Sequence, residues 1–464
     1  MTTLHDRLAD LAAHSPDAPF GHGHQGGELW ERGLRFHRRR RTGTAVVVTA
    51  AVLALIALGS VTWLRSPAAV EPLPADSPGG MPDRIFAASE WLPETDGHPL
   101  GQLAAAYPSI RHRFGLEVHR GDDSLEVSLD LAGGYEHGVV GVSATTGEYR
   151  FLDLPGLVEN DDSYYGTWSL APDGRYVVYL YAAAGGDLAR GAGSGVAIYD
   201  TRTGVVRRHP VKSERGIQLE QFFWTSPGTV VAAYGLVDTG DHDDGNYSTK
   251  RGVYPLVVDV DQGTAHDLVT MVRTFGVSSA GPGFVVMETL DGYVEVDPAT
   301  GTILRDLGKH APHGVWDPSG TRAADGETSS GGDVGFTPVE LATLPATPGG
   351  KLTREHIPTN GVKVFSVYSW LDEDHLAVLE VVGETGQGLR VSSLDIHSAT
   401  TRPLVTVSND NVDTQLATAL LTEPTVPGIE PPTPVDPRKV TGLGVGIVVA
   451  AAVALIMWRR RVRP

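Results

Sequence analysis

Apolar positions follow two different patterns along this 464-residue chain. Near each end they run together: Gly43 to Leu64 is 22 residues without a charge and Thr441 to Trp458 is 18, lengths that predict membrane-spanning helices at about 1.5 Å per residue. Between these runs the apolar residues alternate with polar ones in short stretches, broken by Gly, Pro, Asp and Thr-Gly turns. That pattern predicts many short strands. Arg38 to Arg41 stands before the first run, and Arg459, Arg460, Arg461 and Arg463 follow the second. The positive-inside rule therefore expects both termini in the cytoplasm and the middle outside. A cleavable signal peptide is the rival for the first run, against which stand its length, the 41-residue leader and the lack of a small-x-small site after Trp63. A cell-wall sorting signal is the rival for the second. The Leu-Pro-x-Thr-Gly it needs is missing there, and Leu92-Pro93-Glu94-Thr95 is followed by Asp96, more than 300 residues upstream.

Two elements recur in the middle. The first is a strand ending in a Thr-Gly-type turn: Val140 to Gly147, Val196 to Gly204, Val257 to Gly263, Val294 to Gly301 and Leu394 to Thr401, with a degenerate copy near Pro348-Gly349-Gly350. The second is a strand, a Pro/Asp/Gly hairpin turn and another strand: Trp168-Ser-Leu-Ala-Pro-Asp-Gly-Arg175, Trp316-Asp-Pro-Ser-Gly-Thr-Arg322 and Trp370-Leu-Asp-Glu-Asp-His375, with weaker copies at Trp224 and Ser279. They alternate at a period near 50 residues, as four-stranded propeller blades do. The expected fold is all-β, a β-propeller of about six blades, with five and seven as neighbouring counts and a two-domain β-sandwich as the structural alternative. Phe114 to Leu154 is expected to join the strands after Thr401 and close the ring.

The Trp-Ser-x-x-Pro-Asp-Gly-Arg element alternating with Tyr-Asp-x-x-Thr-Gly resembles the WD-repeat-like and TolB-type β-propellers of bacteria, and the whole arrangement resembles actinobacterial membrane-anchored propeller proteins. The resemblance covers roughly residues 82–422. It implies a binding platform and no particular ligand. The Gly-His and Trp-Asp pairs of true WD repeats are not reproduced in register, so the partners of that family are not carried over.

Composition sharpens this organisation. There is no cysteine, which excludes disulfides, thiolate metal sites and cysteine nucleophiles. Proline-rich stretches Ser66 to Met81 and Glu423 to Pro437 read as extended stalks. Between residues 66 and 437 there are 23 Lys and Arg against 51 Asp and Glu, a net charge near −28. Such a surface repels nucleic acid and anionic headgroups. The predicted organisation is a basic leader (1–41), first span (42–65), stalk (66–81), propeller (82–422), second stalk (423–440), second span (441–458) and basic tail (459–464).

Local chemistry is sparse. Asp238 to Asn246 is the densest carboxylate cluster, and Asp241, Asp243 and Asp244 are its weak metal candidates. Counting from Asp241, however, Gly245 is the fifth residue and not the sixth, and no glutamate closes the loop, so the EF-hand rule fails. A solvated loop is the expectation, with no metal and no cofactor. His22 with His24, and His310 with His313, lack the further ligands of a zinc site. Neither a Gly-x-Ser-x-Gly elbow, a His-Glu-x-x-His nor a phosphate-binding loop occurs. Trp168, Trp224, Trp316 and Trp370 recur at the repeat period and are expected to pack between blades rather than stack on sugars. Gly442 and Gly446 form a small-residue face suited to close helix approach. In the leader, Leu4, Leu8 and Leu11 share one helical face.

The functional expectation is a membrane-anchored, extracytoplasmic and non-enzymatic binding or scaffold module, with a protein, peptide or glycan on the propeller face and the bilayer as its other partner. A propeller-type envelope hydrolase or lyase is the first alternative. A transmembrane sensor or regulator signalling through the leader is the second.

Overall fold

The computed structural model describes residues 79–433 apart from 96–97, 113–114, 121–124, 131–134, 159–166, 183–193, 214–215, 240–247, 271–272, 311, 313, 327–338, 345–351, 383–387 and 409–412. All of these belong to one compact unit. The leader, both apolar runs and the basic tail lie outside the described residues. Among the described residues no helix is long and apolar enough to cross a membrane.

Six four-stranded antiparallel sheets form six blades of an all-β propeller. From axis to rim, blade 2 is Trp168–Leu170, Tyr176–Tyr181, Gly195–Asp200 and Val206–Pro210, and blade 3 is Ile217–Ser226, Thr229–Thr239, Ser248–Asp259 and Thr264–Asp267. Blade 4 is Thr274–Gly281, Phe284–Thr289, Tyr293–Val296 and Ile303–Gly308, and blade 5 is Val315–Trp316, Arg322–Asp325, Val339–Thr343 and Thr353–Ile357. Blade 6 is Lys363–Trp370, His375–Val382, Gly388–Asp395 and Thr401–Val407, with Arg84–Ile85 added in parallel at its rim. Burial explains the sequence of each strand. The second strands are covered on both faces by neighbouring blades, so Tyr176–Tyr181 is buried at every position and reads as one apolar run. Rim strands face water and read polar, as in Val206–Pro210.

Blade 1 closes the ring. Its three outer strands, Leu103–His112, Tyr135–Ser143 and Tyr149–Phe151, come from the N-terminal side, and its innermost strand is Gln415–Leu416. The closing pair thus begins at Leu103, upstream of the expected Phe114, and the hairpin Gly115–Arg120 with Leu125–Asp130 projects between the second and third strands. The N-terminal segment straddles the closing seam: Ile85 lies beside Val407 of blade 6, and Thr95 donates its N–H to the Phe151 carbonyl of blade 1 (2.9 Å). Met81 is fully buried, Val426 donates its N–H to the Met81 carbonyl (2.9 Å), and Gly428 donates to Asp83 Oδ1 (2.7 Å). Both flanking segments therefore leave the ring beside one turn of blade 1: Gly80 N–H donates to Ala144 O (3.0 Å), and a Cβ on Gly147 would stand 3.1 Å from Ile429.

Each seam between blades has its own stitch at the inner strands. The indole N–H groups of Trp224, Trp316 and Trp370 donate to Ser169 Oγ (3.0 Å), Ser279 Oγ (3.0 Å) and the Val315 carbonyl (2.9 Å) on the preceding blade. Gly283 N–H donates to Thr225 O (3.0 Å), Gln415 holds the backbone of Trp168 and Leu170, and Tyr368 donates its hydroxyl to Thr414 O (2.7 Å). Apolar clusters back the stitches, such as Phe284, Val286, Trp316 and Ala323 between blades 4 and 5, where Trp316 meets Phe284 edge-on at 5.0 Å. Burying each large ring contributes about 2–3 kcal/mol. The tryptophans at the repeat period are seam residues.

Turns joining first to second and third to fourth strands all lie on one face, because the strands alternate in direction. The two sequence repeats are these turns. In blades 1 to 4 the third-to-fourth turn carries a left-handed glycine (Gly147, Gly204, Gly263 and Gly301, φ 67–71°), and in blade 6 Ala399 takes that place at φ 55°. The opposite face carries the connections between blades and the second-to-third connections; we call it the wide face and the turn face the narrow one. In blade 4 the second-to-third connection is the tight turn between Thr289 and Tyr293.

Two measurements test the packing. Gly174 (φ 71°) would place a Cβ 1.9 Å from the Leu103 carbonyl, whereas Gly361 (φ 85°) has open space around it. Gly361→Ala is expected to cost about 1–2 kcal/mol, the left-handed penalty alone, and Gly174→Ala clearly more, in denaturant unfolding. The second concerns Glu295, 3% exposed, whose Oε1 is buried without a partner and whose Oε2 is 3.4 Å from Arg305 Nε. Burial raises its carboxyl above the ordinary 4.5, against the opposing pull of Arg305. The folded protein then binds this proton more tightly than the unfolded chain, so the contribution is lost as pH climbs from 4.5 through the folded pKa. Glu295→Gln is expected to flatten that slope, read as the urea-midpoint difference between the two proteins across this range.

Candidate functional site

The innermost strands border the axis of the ring, and three of them are irregular. In blade 3 the register skips between Leu219 and Gln221, in blade 4 between Thr274 and Gly276, and in blade 6 between Val364 and Ser366. The skipped residues are Glu220, Phe275 and Phe365. Each of these strands is bulged a second time nearer the narrow face, at Thr225, Ser278 and Tyr368. A bulge turns one side chain away from the alternation of its strand, which is how a wall of buried strands presents polar or aromatic groups to an opening. The wide-face end of the axis, where the bulges at Glu220, Phe275 and Phe365 fall, is the candidate site, with the Phe365 ring itself packed against the apolar cluster of blades 1 and 6.

Its electrostatics differ from those of the rest of the ring. Glu220 is exposed to solvent at its end of the strand, yet partial burial still raises its carboxyl above the ordinary glutamate value. Arg273, at the head of the blade 4 inner strand, is exposed and holds its guanidinium 5.5 Å from the centre of the Phe275 ring. Two other carboxylates are tied into structure. Burial would raise Asp317, but the N–H groups of Arg322 and Thr321, the Ser319 hydroxyl and the Arg322 side chain outweigh it and hold its carboxyl low. Glu380 is clamped by Arg390 Nε (2.6 Å) and by the Ser392 hydroxyl.

A second polar group sits on the narrow face of blade 6. His375 Nδ1 is 2.8 Å from Asp372 Oδ1, and His397 Nε2 is 3.1 Å from Asp374 Oδ1. Asp372 is shifted downward, its slight burial outweighed by the Asp374 N–H and by His375. Among the described residues no group of three or more His, Asp or Glu is arranged to hold a metal ion. Asp241, Asp243 and Asp244 lie outside the described residues. His310 is exposed between blades 4 and 5, and His313, like His22 and His24, lies outside the described residues.

Sequence reasoning missed Glu220, Phe275 and Arg273. A trace was available: Leu219-Glu-Gln-Phe-Phe223 places two polar and then two aromatic residues side by side, a lapse in alternation that marks a bulge.

Neither a protein-family model nor a curated protein sequence matches the chain. Solved structures are similar in fold. The β-propeller domain of the Trilobed protease from Pyrococcus furiosus is 9% identical with a TM-score of 0.35, over 61% of this chain and 78% of that one. An acylaminoacyl peptidase bound to Z-Gly-Gly-Phe-chloromethyl ketone is 9% identical (TM-score 0.35), over 65% of this chain and 44% of that one. TolB from Acinetobacter baumannii is 10% identical (TM-score 0.31), over 65% and 70%. The chain spans less than half the length of the peptidase. The expectations of a non-enzymatic binding module and of no enzymatic activity are not supported by these neighbours, two of whose three rings belong to a protease and a peptidase. The physical reason lies in the ring: the lack of a local motif argues against catalysis only when catalytic groups are neighbours in sequence, and six inner strands bring distant stretches to one axis. The likeness is one of fold, and no residue role is carried across.

Proposed function

We propose that this chain is a propeller-bearing envelope hydrolase whose reacting groups gather at the wide-face mouth of the axis. The observation that supports it is Glu220: a carboxylate on a bulge of an inner strand, open to solvent and yet held above its ordinary pKa by partial burial. A raised carboxyl is the form that serves as general acid or base near neutral pH. Glu220 would deprotonate the attacking water or protonate the leaving group.

The ring is proposed to lie outside the cell membrane, carried by Gly43–Leu64 and Thr441–Trp458. The uncharged length of both runs and the arginines beside them support this. Its acidity favours substrates that are not polyanions. Peptides form the first panel to test, because the rings similar in fold include those of a protease and a peptidase.

The test uses the full chain in detergent with fluorogenic peptides and cell-wall fragments. Turnover is expected to fall about 100-fold or more in Glu220→Gln, in line with the loss of a general acid-base group, and that variant should lose one limb of the pH profile of kcat/KM, the acidic limb if Glu220 deprotonates water and the basic limb if it protonates the leaving group. Absence of turnover across the panel, or equal turnover by Glu220→Gln, would overturn the proposal.

A further inference from the structure

His209 is the one histidine among the described residues with a ring nitrogen, Nε2, that is buried and without a partner. It lies in the rim strand of blade 2, Val206–Pro210, opposite Val196. Alternation sends Arg208 towards blade 1, where it reaches the Pro155 carbonyl (2.9 Å). It sends Arg207 and His209 towards blade 3, where Arg207 reaches the carbonyls of Val260 and Asp261. Ser194 shares that face: its carbonyl accepts from Val211 N–H (3.0 Å), which sets it diagonally beside His209, and its hydroxyl too is buried without a partner. Two unpartnered polar atoms thus lie on the face whose apolar contact is made by Val178, Leu180 and Val196 of blade 2 with Tyr234, Leu256 and Ala265 of blade 3.

Other histidines have an acceptor to hand. His375 and His397 lie beside Asp372 and Asp374, and His266 Nε2 is 3.4 Å from the Pro298 carbonyl. An imidazolium donates from both nitrogens, and Nε2 of His209 has no oxygen within hydrogen-bond reach. The charged groups on the two facing blades do not make good the lack. Arg207, on the same strand, repels a second positive charge, and Arg175 is paired with Asp261 (3.0 Å) at the narrow end beside the Tyr176 hydroxyl. On the blade 3 side Asp267 is exposed at the rim, and its charge bears on Tyr234, which is stacked with Tyr254. Burial first, and then Arg207, holds His209 below the ordinary 6.5. The folded protein therefore binds this proton less tightly than the unfolded chain, so stability present above 6.5 is lost as pH falls through the folded pKa. We infer that His209 makes the seam between blades 2 and 3 an acid-sensitive catch: protonation sets a charge in an apolar contact that offers it no acceptor, and the seam opens from its rim and wide-face end. Leu219, next to Glu220, pairs with Tyr234 of that contact, so opening also frees the strand that carries Glu220. The inference stands on the seam itself and does not require the hydrolase reading.

The experiment compares hydrogen-deuterium exchange of the full-length protein in detergent at about pH 7.5 and about pH 5, corrected for the intrinsic pH dependence of amide exchange. Acidification is expected to speed exchange about tenfold in Gly195–Pro210 and Ile217–Ser226 while the strands of blade 5 stay unchanged, and His209→Gln is expected to remove that local rise. Exchange that rises equally in every blade, that does not rise at all, or that rises as much in His209→Gln as in the wild type would overturn the inference. The comparison between blades is read in the wild type, so the test decides even where His209→Gln does not fold.

Discussion

The ring depends on the pairing of Gln415–Leu416 with Leu103–His112. Until that strand arrives, blade 1 has no inner edge, and blades 6 and 2 each lack a neighbour on one face. The contact joins residues about 300 positions apart, so a large loop-closure entropy must be offset before the last seam contributes anything. The means are visible: Gln415 accepts from and donates to the backbone of blade 2, Leu416 and Ala417 enter the largest apolar cluster, and the N-terminal segment lies across the same seam with Met81, Ile85, Leu92 and Leu100 buried. Both ends of the domain are thus built into its closing join.

Around this join the two faces divide their work. The narrow face is a ring of short turns whose backbone groups are spent on one another, with polar side chains such as Asp317 fully committed to local hydrogen bonds. At the wide face the inner strands of blades 3, 4 and 6 are bulged, and Glu220 and Arg273 are exposed there. Glu220 and Arg273 contribute nothing evident to packing, and both lie where the regular strand pattern is broken. Broken regularity at an opening, surrounded by regular and well-satisfied blades, is the arrangement expected of a site that gives up local stability for access.

Glu295 is the counter-example inside the walls. Its carboxylate is as buried as Glu380, but Glu380 receives both a guanidinium and a hydroxyl while Glu295 has a single arginine at longer range. Burial of a charge is tolerated when hydrogen bonds replace its water, and the difference between these two glutamates shows how sharply the balance depends on one extra donor.

The blade architecture was legible in the order of residues, because what specifies a blade is local. Thr-Gly and Pro-Asp-Gly turns demand particular backbone angles at fixed points, and strands covered on both sides must read as apolar runs, so the repeats at Gly147, Gly204, Gly263 and Gly301 mark real third-to-fourth turns. That order also located the tryptophans at the seams, since their spacing follows the repeat. The candidate site was not legible in the same way. A bulge exists only relative to a partner strand, so Glu220, Phe275 and Phe365 become distinctive only once register is known. That Arg175 finds Asp261 of blade 3 while Arg273 has no ion pair among the described residues is likewise a fact about neighbours drawn from other blades. Tertiary structure decided these matters because closing a ring of six blades sets side by side residues whose separation in sequence carries no signal of their meeting.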